Sequence, residues 1–225
     1  MPWRTFCPML VIFDVEGVLL NAEYLPVLAK LMGPEKEQEI WDITIKGING
    51  EINWEEGLKE RVHALRGIDY NRAHEIAQSL EIMPGAKQLC SFLKQHDWKM
   101  IAVSGGFTII TDRLIKELYL DKIFSNELVF EDNKLQDVTI TVTSDKSLSI
   151  KSYVEENAFK KEEIIVVVDG ANDLKLFNMS SFTVGFCPVD VVRKKADVII
   201  ERKNLADLIP ILMEKFENKL NSLYT

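Results

Sequence analysis

Acidic side chains follow two apolar segments of this 225-residue chain that lie far apart in the sequence. The apolar runs at residues 11–18 and 165–173 have the composition of buried parallel strands. The carboxylates in these runs belong to Asp14, Glu16, Asp169 and Asp173. If the strands are neighbours, the four groups converge beyond the strand ends, where open α/β sheets bind ligands. Clustered carboxylates repel one another without a cation and suit Mg²⁺, so the pattern predicts a metal-dependent site for an anionic substrate.

Position along the strands suggests a chemical role for each group. Asp14 at a strand end could attack phosphorus as a nucleophile, and Glu16 on the same side could be the general acid and base. Read alone, both fit equally well as ordinary carboxylates in a turn. In the second segment, Asp169 and Asp173 could bind the metal and Asn172 could form hydrogen bonds within the site. The alternative is a helix N-cap cluster, which explains only one of these three residues.

Two further segments could hold an anion. Ser104-Gly105-Gly106 follows a predicted strand and opens a predicted helix, where free N–H groups bind phosphate. The alternative is a plain turn with Ser104 as the N-cap. Lys146 lies near the start of a helix, where its charge opposes the helix dipole. A phosphate or an aspartate charge would explain that placement, although a single lysine is usually exposed to solvent.

Composition limits the classes of partner. The formal net charge of −8 argues against nucleic acid or an anionic membrane as the main partner. The number of cysteines is odd and they form no metal-binding pattern, which fits a reducing cytoplasm: Cys7, Cys90 and Cys187. The N-terminal segment reads as a first strand rather than a signal peptide, and no apolar run reaches the ~20 residues of a membrane span.

The order of elements predicts an α/β protein with two domains. Repeated strand and helix patterns predict a mostly parallel sheet with helices on both faces, in a core domain of residues 1–22 and 83–225. Residues 23–82 contain no convincing strand and predict a small inserted helical cap domain. Residues 127–142 predict a β-hairpin flap. A helix over residues 204–220 would pack on the core or pair with another subunit, so the chain is expected to be a monomer or a homodimer.

The order and spacing of these segments resemble the haloacid dehalogenase (HAD) superfamily, and within it the phosphoserine phosphatase group. The resemblance extends from about residue 10 to about residue 208 and implies a Rossmann-like core. The matching motifs are residues 13–18, residues 103–107, Lys146 and residues 169–173.

The resemblance implies a role for each motif. Asp14 would attack phosphorus and bind Mg²⁺, and the metal site would be completed by the backbone carbonyl of Glu16 and the carboxylates of Asp169 and Asp173. Phosphate oxygens would be held by Ser104 and the Gly105 N–H, with Lys146 neutralising charge. Water would then hydrolyse the aspartyl-phosphate, in line with phosphoryl transfer as positioning plus charge neutralisation.

The resemblance extends into the predicted cap. Glu23 would bind the amine of phosphoserine, Arg61 would bind its carboxylate, and Trp54 would line the pocket. The alternative for Arg61 is a surface ion pair with a neighbouring glutamate of its helix: Glu55, Glu56 or Glu60.

Three residues depart from the family pattern. Glu16 replaces the second aspartate of the first motif, Val18 replaces a common threonine, and Ser147 replaces a usual glycine. The leading prediction is a cytoplasmic, Mg²⁺-dependent phosphatase of amino-acid biosynthesis. It acts on a small phosphorylated metabolite, and phosphoserine is the preferred candidate. The alternatives are a phosphatase for phosphoglycolate or a sugar phosphate, a phosphotransferase, and a catalytically weak binding protein.

Overall fold

A computed structural model describes residues 9–217 and places a seven-stranded sheet at the centre of the fold. The strands, in chain order, are β1 (Leu10–Phe13), β2 (Lys99–Phe107), β3 (Lys122–Glu131), β4 (Lys134–Thr139), β5 (Ile164–Val168), β6 (Phe182–Phe186) and β7 (Val198–Ile200). Across the sheet their order is β4-β3-β2-β1-β5-β6-β7, and neighbours are parallel except β3 and β4. The predicted α/β fold with a mostly parallel, Rossmann-like sheet is confirmed.

Helices surround this sheet. The α-helices are α1 (Tyr24–Ala29), α2 (Pro34–Asn49), α3 (Trp54–Ala64), α4 (Tyr70–Ser79), α5 (Ala86–Gln95), α6 (Thr108–Glu117), α7 (Lys146–Glu156), α8 (Asp190–Arg193) and α9 (Leu208–Lys215). Short 3-10 helices occupy Lys30–Met32, Lys161–Glu163, Ala171–Met179 and Leu205–Asp207.

Side chains of β1 alternate between two hydrophobic cores, one on each face of the sheet. Leu10 and Ile12 belong to a cluster that includes α7 and α8. Val11 and Phe13 belong to a larger cluster that includes α5, α6 and α9. Every residue of β1 and β5 is buried. Because both faces are covered, these strands read as continuous apolar runs instead of alternating patterns.

Helices α1 to α4 fill the block between β1 and α5. Side chains cap two of these helices: Asn53 Oδ1 accepts the Glu56 N–H at 2.9 Å before α3, and Asp69 Oδ1 accepts the Asn71 N–H at 3.0 Å before α4. Gly33 ends the 3-10 helix that follows α1. Pro34 begins α2, because the first residue of a helix needs no N–H donor.

The hairpin is present, but its first strand is longer than predicted. It pairs with β2 in parallel before the chain turns through Asp132 and Asn133, both with positive φ. Such a two-residue turn matches the twist of a hairpin. Two backbone hydrogen bonds join the α3–α4 connection to β4. The Gly67 N–H donates to the Leu135 carbonyl at 2.8 Å, and the Leu135 N–H donates to the Ile68 carbonyl at 2.9 Å. The hairpin and the helical block are therefore in direct contact.

The C-terminal segment packs on the core. Phe216, just after α9, contacts Trp98 and Phe182 edge-on, with ring centroids 5.7 Å apart in each pair. The last residues of the predicted 204–220 helix and Cys7 lie outside the described residues. Within residues 9–217, none of the helices has the length and apolar character needed to cross a membrane.

Candidate active site

Parallel pairing brings the ends of three strands to one edge of the sheet. Phe13 of β1 lies opposite Ala102 of β2 and Val167 of β5. The next residue, Asp14, donates its N–H to the Val167 carbonyl at 3.0 Å. The acidic residues after β1 and β5 therefore lie side by side, beside the glycine pair at the end of β2.

Three carboxylates meet at this edge. Ligand oxygens of Asp14, Asp169 and Asp173 lie within 4.8 Å of one another. Asp14 and Asp173 are buried, and Asp169 is half-buried. The predicted convergence of these groups is thus present in the structure.

Lys146 lies among these carboxylates, although a lone lysine is exposed by default. Its Nζ lies 2.8 Å from Asp14 Oδ1 and 2.6 Å from Asp173 Oδ1, and its side chain is 2% exposed. Burial alone disfavours the ammonium, but the two carboxylates outweigh it and hold the pKa of Lys146 above its ordinary value. The ammonium group of Lys146 therefore contacts two members of a cluster of three carboxylates directly.

The donor set at this edge fits a divalent cation. Burial raises the pKa of Asp169 to about 7 and the pKa of Asp173 well above its usual range. The negative charge of Asp14 is the second-largest cause of both increases. Among residues 9–217, Asp173 Oδ2 is buried without a hydrogen-bond partner. A buried carboxylate oxygen left unpartnered is costly, and a hard cation held by carboxylate oxygens removes that cost. Asp14, Asp169 and Asp173 are therefore the residues that could hold a metal.

The metal-free protein is expected to lose stability as the pH rises from about 5 to about 8. Folding raises the pKa of Asp169 from its ordinary 3.8 to about 7. Between these values the folded state binds more protons than the unfolded state, so stability falls with rising pH. Mg²⁺ should oppose the loss, because a bound cation favours the charged carboxylates.

Melting temperatures in EDTA and in Mg²⁺ at both pH values would check this expectation. The Asp169→Asn variant is the control, since it should show a smaller loss with pH and a smaller gain from Mg²⁺. An unchanged melting temperature on adding Mg²⁺ at about pH 8 would contradict the metal site.

The glycine pair at the end of β2 lies inside the strand, which continues to Phe107, and not in the predicted turn. Ser104 is buried, and its Oγ accepts the Gly106 N–H at 2.9 Å. The Gly105 carbonyl accepts a hydrogen bond from Asn126 Nδ2 at 2.9 Å. Asn126 was not predicted, although an asparagine within the apolar strand β3 was a possible signal. It also accepts the Thr141 and Val142 N–H groups and so ties β2 to the chain before Lys146.

One cavity contains nearly all of the predicted site. It is lined by Asp14, Glu16, Glu23, Trp54, Arg61, Ser104, Gly105, Lys146, Asp169 and Asn172. The remaining predicted residue, Asp173, lies in the carboxylate cluster at its edge. Trp54 covers Gly105 so closely that a Cβ there would lie 2.2 Å from the indole, so only glycine fits. Sequence reasoning missed the lining residues Leu25, Thr44, Gly47, Ile48, Leu58 and Phe107.

Glu23 and Arg61 both line this cavity without forming a salt bridge with each other. Arg61 is buried and donates from Nε to the Gly57 carbonyl and from Nη1 to Thr44 Oγ1, each at 3.1 Å. No carboxylate of the described chain comes within 4.0 Å of it, so the alternative of a surface ion pair is not observed. Burial, and then the charges of Glu16, Asp169 and Asp14, raise the pKa of Glu23 well above its usual range. A ligand with both a carboxylate and an amine would complement this pair of side chains.

A family model described as haloacid dehalogenase-like hydrolase matches residues 8–178. The chain belongs to this family. Among curated relatives, it is 33% identical over 216 residues to the phosphoserine phosphatase of Archaeoglobus fulgidus and 31% identical over 206 residues to that of Campylobacter jejuni. These alignments cover 94% and 90% of this chain, and they cover 62% and 99% of the two relatives.

A solved structure has a closely similar fold. A phospho-aspartyl intermediate analogue of phosphoserine phosphatase superposes with a TM-score of 0.86 at 28% identity, covering 91% of this chain and 98% of that one. A substrate-bound phosphoserine phosphatase complex gives the same TM-score at 27% identity, with the same two coverages.

Glu16 is the main departure from the HAD pattern, and its longer side chain makes contacts with both carboxylate oxygens. Its Oε1 accepts the Tyr24 N–H at 2.6 Å, at the start of α1. Its other oxygen lies against Gly106, where a Cβ would be 2.3 Å from Oε2. Burial raises the pKa of Glu16 to about 7, while the Tyr24 N–H and Arg61 act in the opposite direction. A carboxyl group with this pKa can both donate and accept a proton near neutral pH.

The other two departures leave the site intact. Val18 is fully buried in the core of this HAD protein. The Ser147 hydroxyl donates to Asp145 Oδ1 and so holds the residue before Lys146.

Proposed function

We propose that this HAD hydrolase is a Mg²⁺-dependent phosphatase that forms an aspartyl-phosphate on Asp14 and acts on phosphoserine. The observation that carries the proposal is the buried Lys146 ammonium, in contact with both Asp14 and Asp173. A nucleophilic carboxylate and an anionic phosphate can approach each other only where positive charge offsets their repulsion. The similarity to phosphoserine phosphatases supports the choice of reaction and substrate.

Asp14 has the geometry that the first step requires. The Val15 N–H and the Lys146 ammonium both contact its Oδ1, at 2.7 and 2.8 Å, so we assign attack on phosphorus to Oδ2. As the Asp14–phosphorus bond forms, the bond from phosphorus to the serine oxygen breaks. Ser104 and the Gly105 N–H hold phosphate oxygens. When bound by Asp14, Asp169, Asp173 and the Glu16 carbonyl, Mg²⁺ supplies further positive charge that lowers the repulsion between carboxylate and phosphate.

Glu16 moves the protons in both steps. Its carboxylic acid protonates the departing serine oxygen, and the resulting carboxylate then accepts a proton from the attacking water. Water forms a new bond to phosphorus while the Asp14–phosphorus bond breaks, which releases inorganic phosphate and restores Asp14. The Tyr24 N–H keeps the Glu16 carboxyl beside the reacting group.

Glu16→Gln is expected to lower kcat for phosphoserine by about 10²–10⁴-fold, because the amide cannot transfer the proton. The loss should be smaller for p-nitrophenyl phosphate, whose leaving group needs no protonation. Glu16→Asp is the matched variant. It keeps the acid, restores the aspartate of the family pattern and should preserve or raise activity. Equal losses for both substrates in Glu16→Gln would contradict the acid role.

Substrate selection is assigned to Arg61 and Glu23, which line the cavity without pairing with each other. Arg61 would bind the carboxylate of phosphoserine and Glu23 its amine, with Trp54 closing over the substrate and Asn172 forming hydrogen bonds within the site. The absence of a carboxylate partner for Arg61 within residues 9–217 supports this assignment, because a buried guanidinium needs an anion.

Residues 23–82 are proposed as a cap that moves relative to the core formed by residues 1–22 and 83–225. Two contacts of α3 with the core support a closed arrangement. The Trp54 ring packs on Gly105, and Glu55 Oε1 accepts the Ser144 N–H at 2.8 Å. Trp54 and Gly105 both line the cavity, so phosphoserine would enter only after these contacts separate. We place the enzyme in the cytoplasm, as a monomer or a homodimer.

Phosphate release from a panel of phosphomonoesters would test the proposed function. We expect Mg²⁺-dependent release from phosphoserine, with much lower kcat/KM for phosphoglycolate, a sugar phosphate and an aryl phosphate. Similar kcat/KM values across the panel would refute the substrate but keep the chemistry. A new phosphate ester on an added alcohol would instead indicate a phosphotransferase, and no release from any substrate would refute the enzyme.

A further inference from the structure

Thr44 is a buried polar residue without a role in the mechanism proposed above. It lies on α2 and lines the cavity, and its side chain is almost fully buried. Its hydroxyl donates to the Ile40 carbonyl, one turn earlier, at 2.8 Å. A threonine hydroxyl has a single proton, so the oxygen can offer only lone pairs to other neighbours. Arg61 Nη1 uses this acceptor at 3.1 Å.

The Arg61 guanidinium is held from two different helices. Its Nε donates to the Gly57 carbonyl within α3, and its Nη1 donates to Thr44 across on α2. Two anchors on a rigid planar fork fix the plane of the guanidinium and leave its other N–H groups for a ligand. Both acceptors are uncharged, so neither neutralises Arg61. An aspartate or glutamate in place of Thr44 would occupy the guanidinium and compete with a ligand carboxylate.

We propose that Thr44 is a positioning residue that sets selectivity for substrates with a carboxylate by holding Arg61 in its binding orientation. This inference rests on the proposed function, because it needs Arg61 to bind the carboxylate of phosphoserine. Thr44 contacts neither the phosphate nor the reacting atoms. Its removal should therefore weaken substrate binding equally in the ground state and the transition state, which raises KM and leaves kcat unchanged.

The test compares phosphoserine with phosphoethanolamine, which has the same phosphate and amine but no carboxylate. Thr44→Val keeps the shape of the side chain and removes the acceptor. It is expected to raise KM for phosphoserine about tenfold, the usual consequence of losing a hydrogen bond to a charged group. The KM for phosphoethanolamine and both kcat values should stay within about twofold of wild type. Thr44→Ser keeps the hydroxyl and should restore the wild-type KM.

Two controls separate positioning from a purely structural role. Thr111→Val removes a buried hydroxyl of α6 that lies 3.1 Å from Ser125 Oγ, outside the cavity lining, and should leave the KM ratio of the two substrates unchanged. In an Arg61→Ala background, Thr44→Val should cause no further rise in KM for phosphoserine, because Thr44 acts through Arg61.

Each result has a distinct meaning. Equal rises in KM for both substrates in Thr44→Val, or an unchanged KM for phosphoserine, would overturn the inference while leaving the proposed function standing. A wild-type enzyme with the same KM for phosphoserine and phosphoethanolamine, or with no turnover of either, would refute the proposed substrate first and the role of Thr44 with it.

Discussion

Asp14→Asn is expected to abolish turnover, with a loss in kcat of at least about 10⁴-fold, while the protein stays folded. Asparagine has nearly the same shape, and its side-chain oxygen can still accept the Val15 N–H that Asp14 Oδ1 accepts at 2.7 Å. The amide oxygen is a far weaker nucleophile and carries no charge to pair with Lys146. Phosphate release and circular dichroism, measured on the same preparation, would separate lost chemistry from lost structure.

Asp137→Asn provides a matched control for this substitution. Asp137 Oδ1 accepts the N–H of the following residue, Val138, at 2.8 Å, just as Asp14 does with Val15, but it lies on β4 beside His63. Its replacement should leave kcat within about twofold of wild type, as expected for a surface position. If Asp14→Asn kept normal turnover, another residue would have to be the nucleophile.

Lys146→Met is expected to have the second-largest effect, on activity and on stability together. The ammonium is the positive group in direct contact with Asp14 and Asp173, so its loss should lower kcat by about 10²–10³-fold. Removing one partner of a buried ion pair costs about 3–5 kcal/mol of unfolding free energy. Urea unfolding in EDTA at neutral pH would measure that cost.

Lys175→Met is the control for the lysine. Lys175 is 59% exposed and lies 3.2 Å from Asp145, so it also pairs with a carboxylate, but at the surface. Surface pairs contribute about 0–1 kcal/mol, and the variant should keep its activity. Similar stability losses in the two variants would show that Lys146 is not held by the buried carboxylates.

The sheet and its acidic edge were predictable because their signals are local and strong. Apolar runs such as residues 164–168 are buried on both faces, and parallel strands place their carboxyl ends together. The convergence of Asp14 and Asp169 follows from that rule alone. The roles of Glu23 and Arg61 were predicted from the family resemblance alone. Glu23 lies just before α1 and Arg61 lies within α3, and no rule relates these sequence positions to distance from the sheet.

Residues that act across the fold were not predictable. Thr44 and Asn126 each join two elements through side-chain hydrogen bonds, and neither belongs to a motif. The length of β2 was also underestimated, because Gly105 and Gly106 read as a turn. Instead, pairing of Phe107 with Asn126 of β3 keeps this segment extended. Tertiary pairing overrides local propensity in such segments.

The most direct measurement of the central claim is acid-quenched mass spectrometry of the wild-type protein during turnover of phosphoserine. The peptide containing Asp14 should carry one phosphoryl group in Mg²⁺ and none in EDTA, because attack by Asp14 precedes attack by water and depends on the metal. Steady release of phosphate with no phosphoryl group on that peptide, or with the group on a different residue, would contradict the aspartyl-phosphate mechanism.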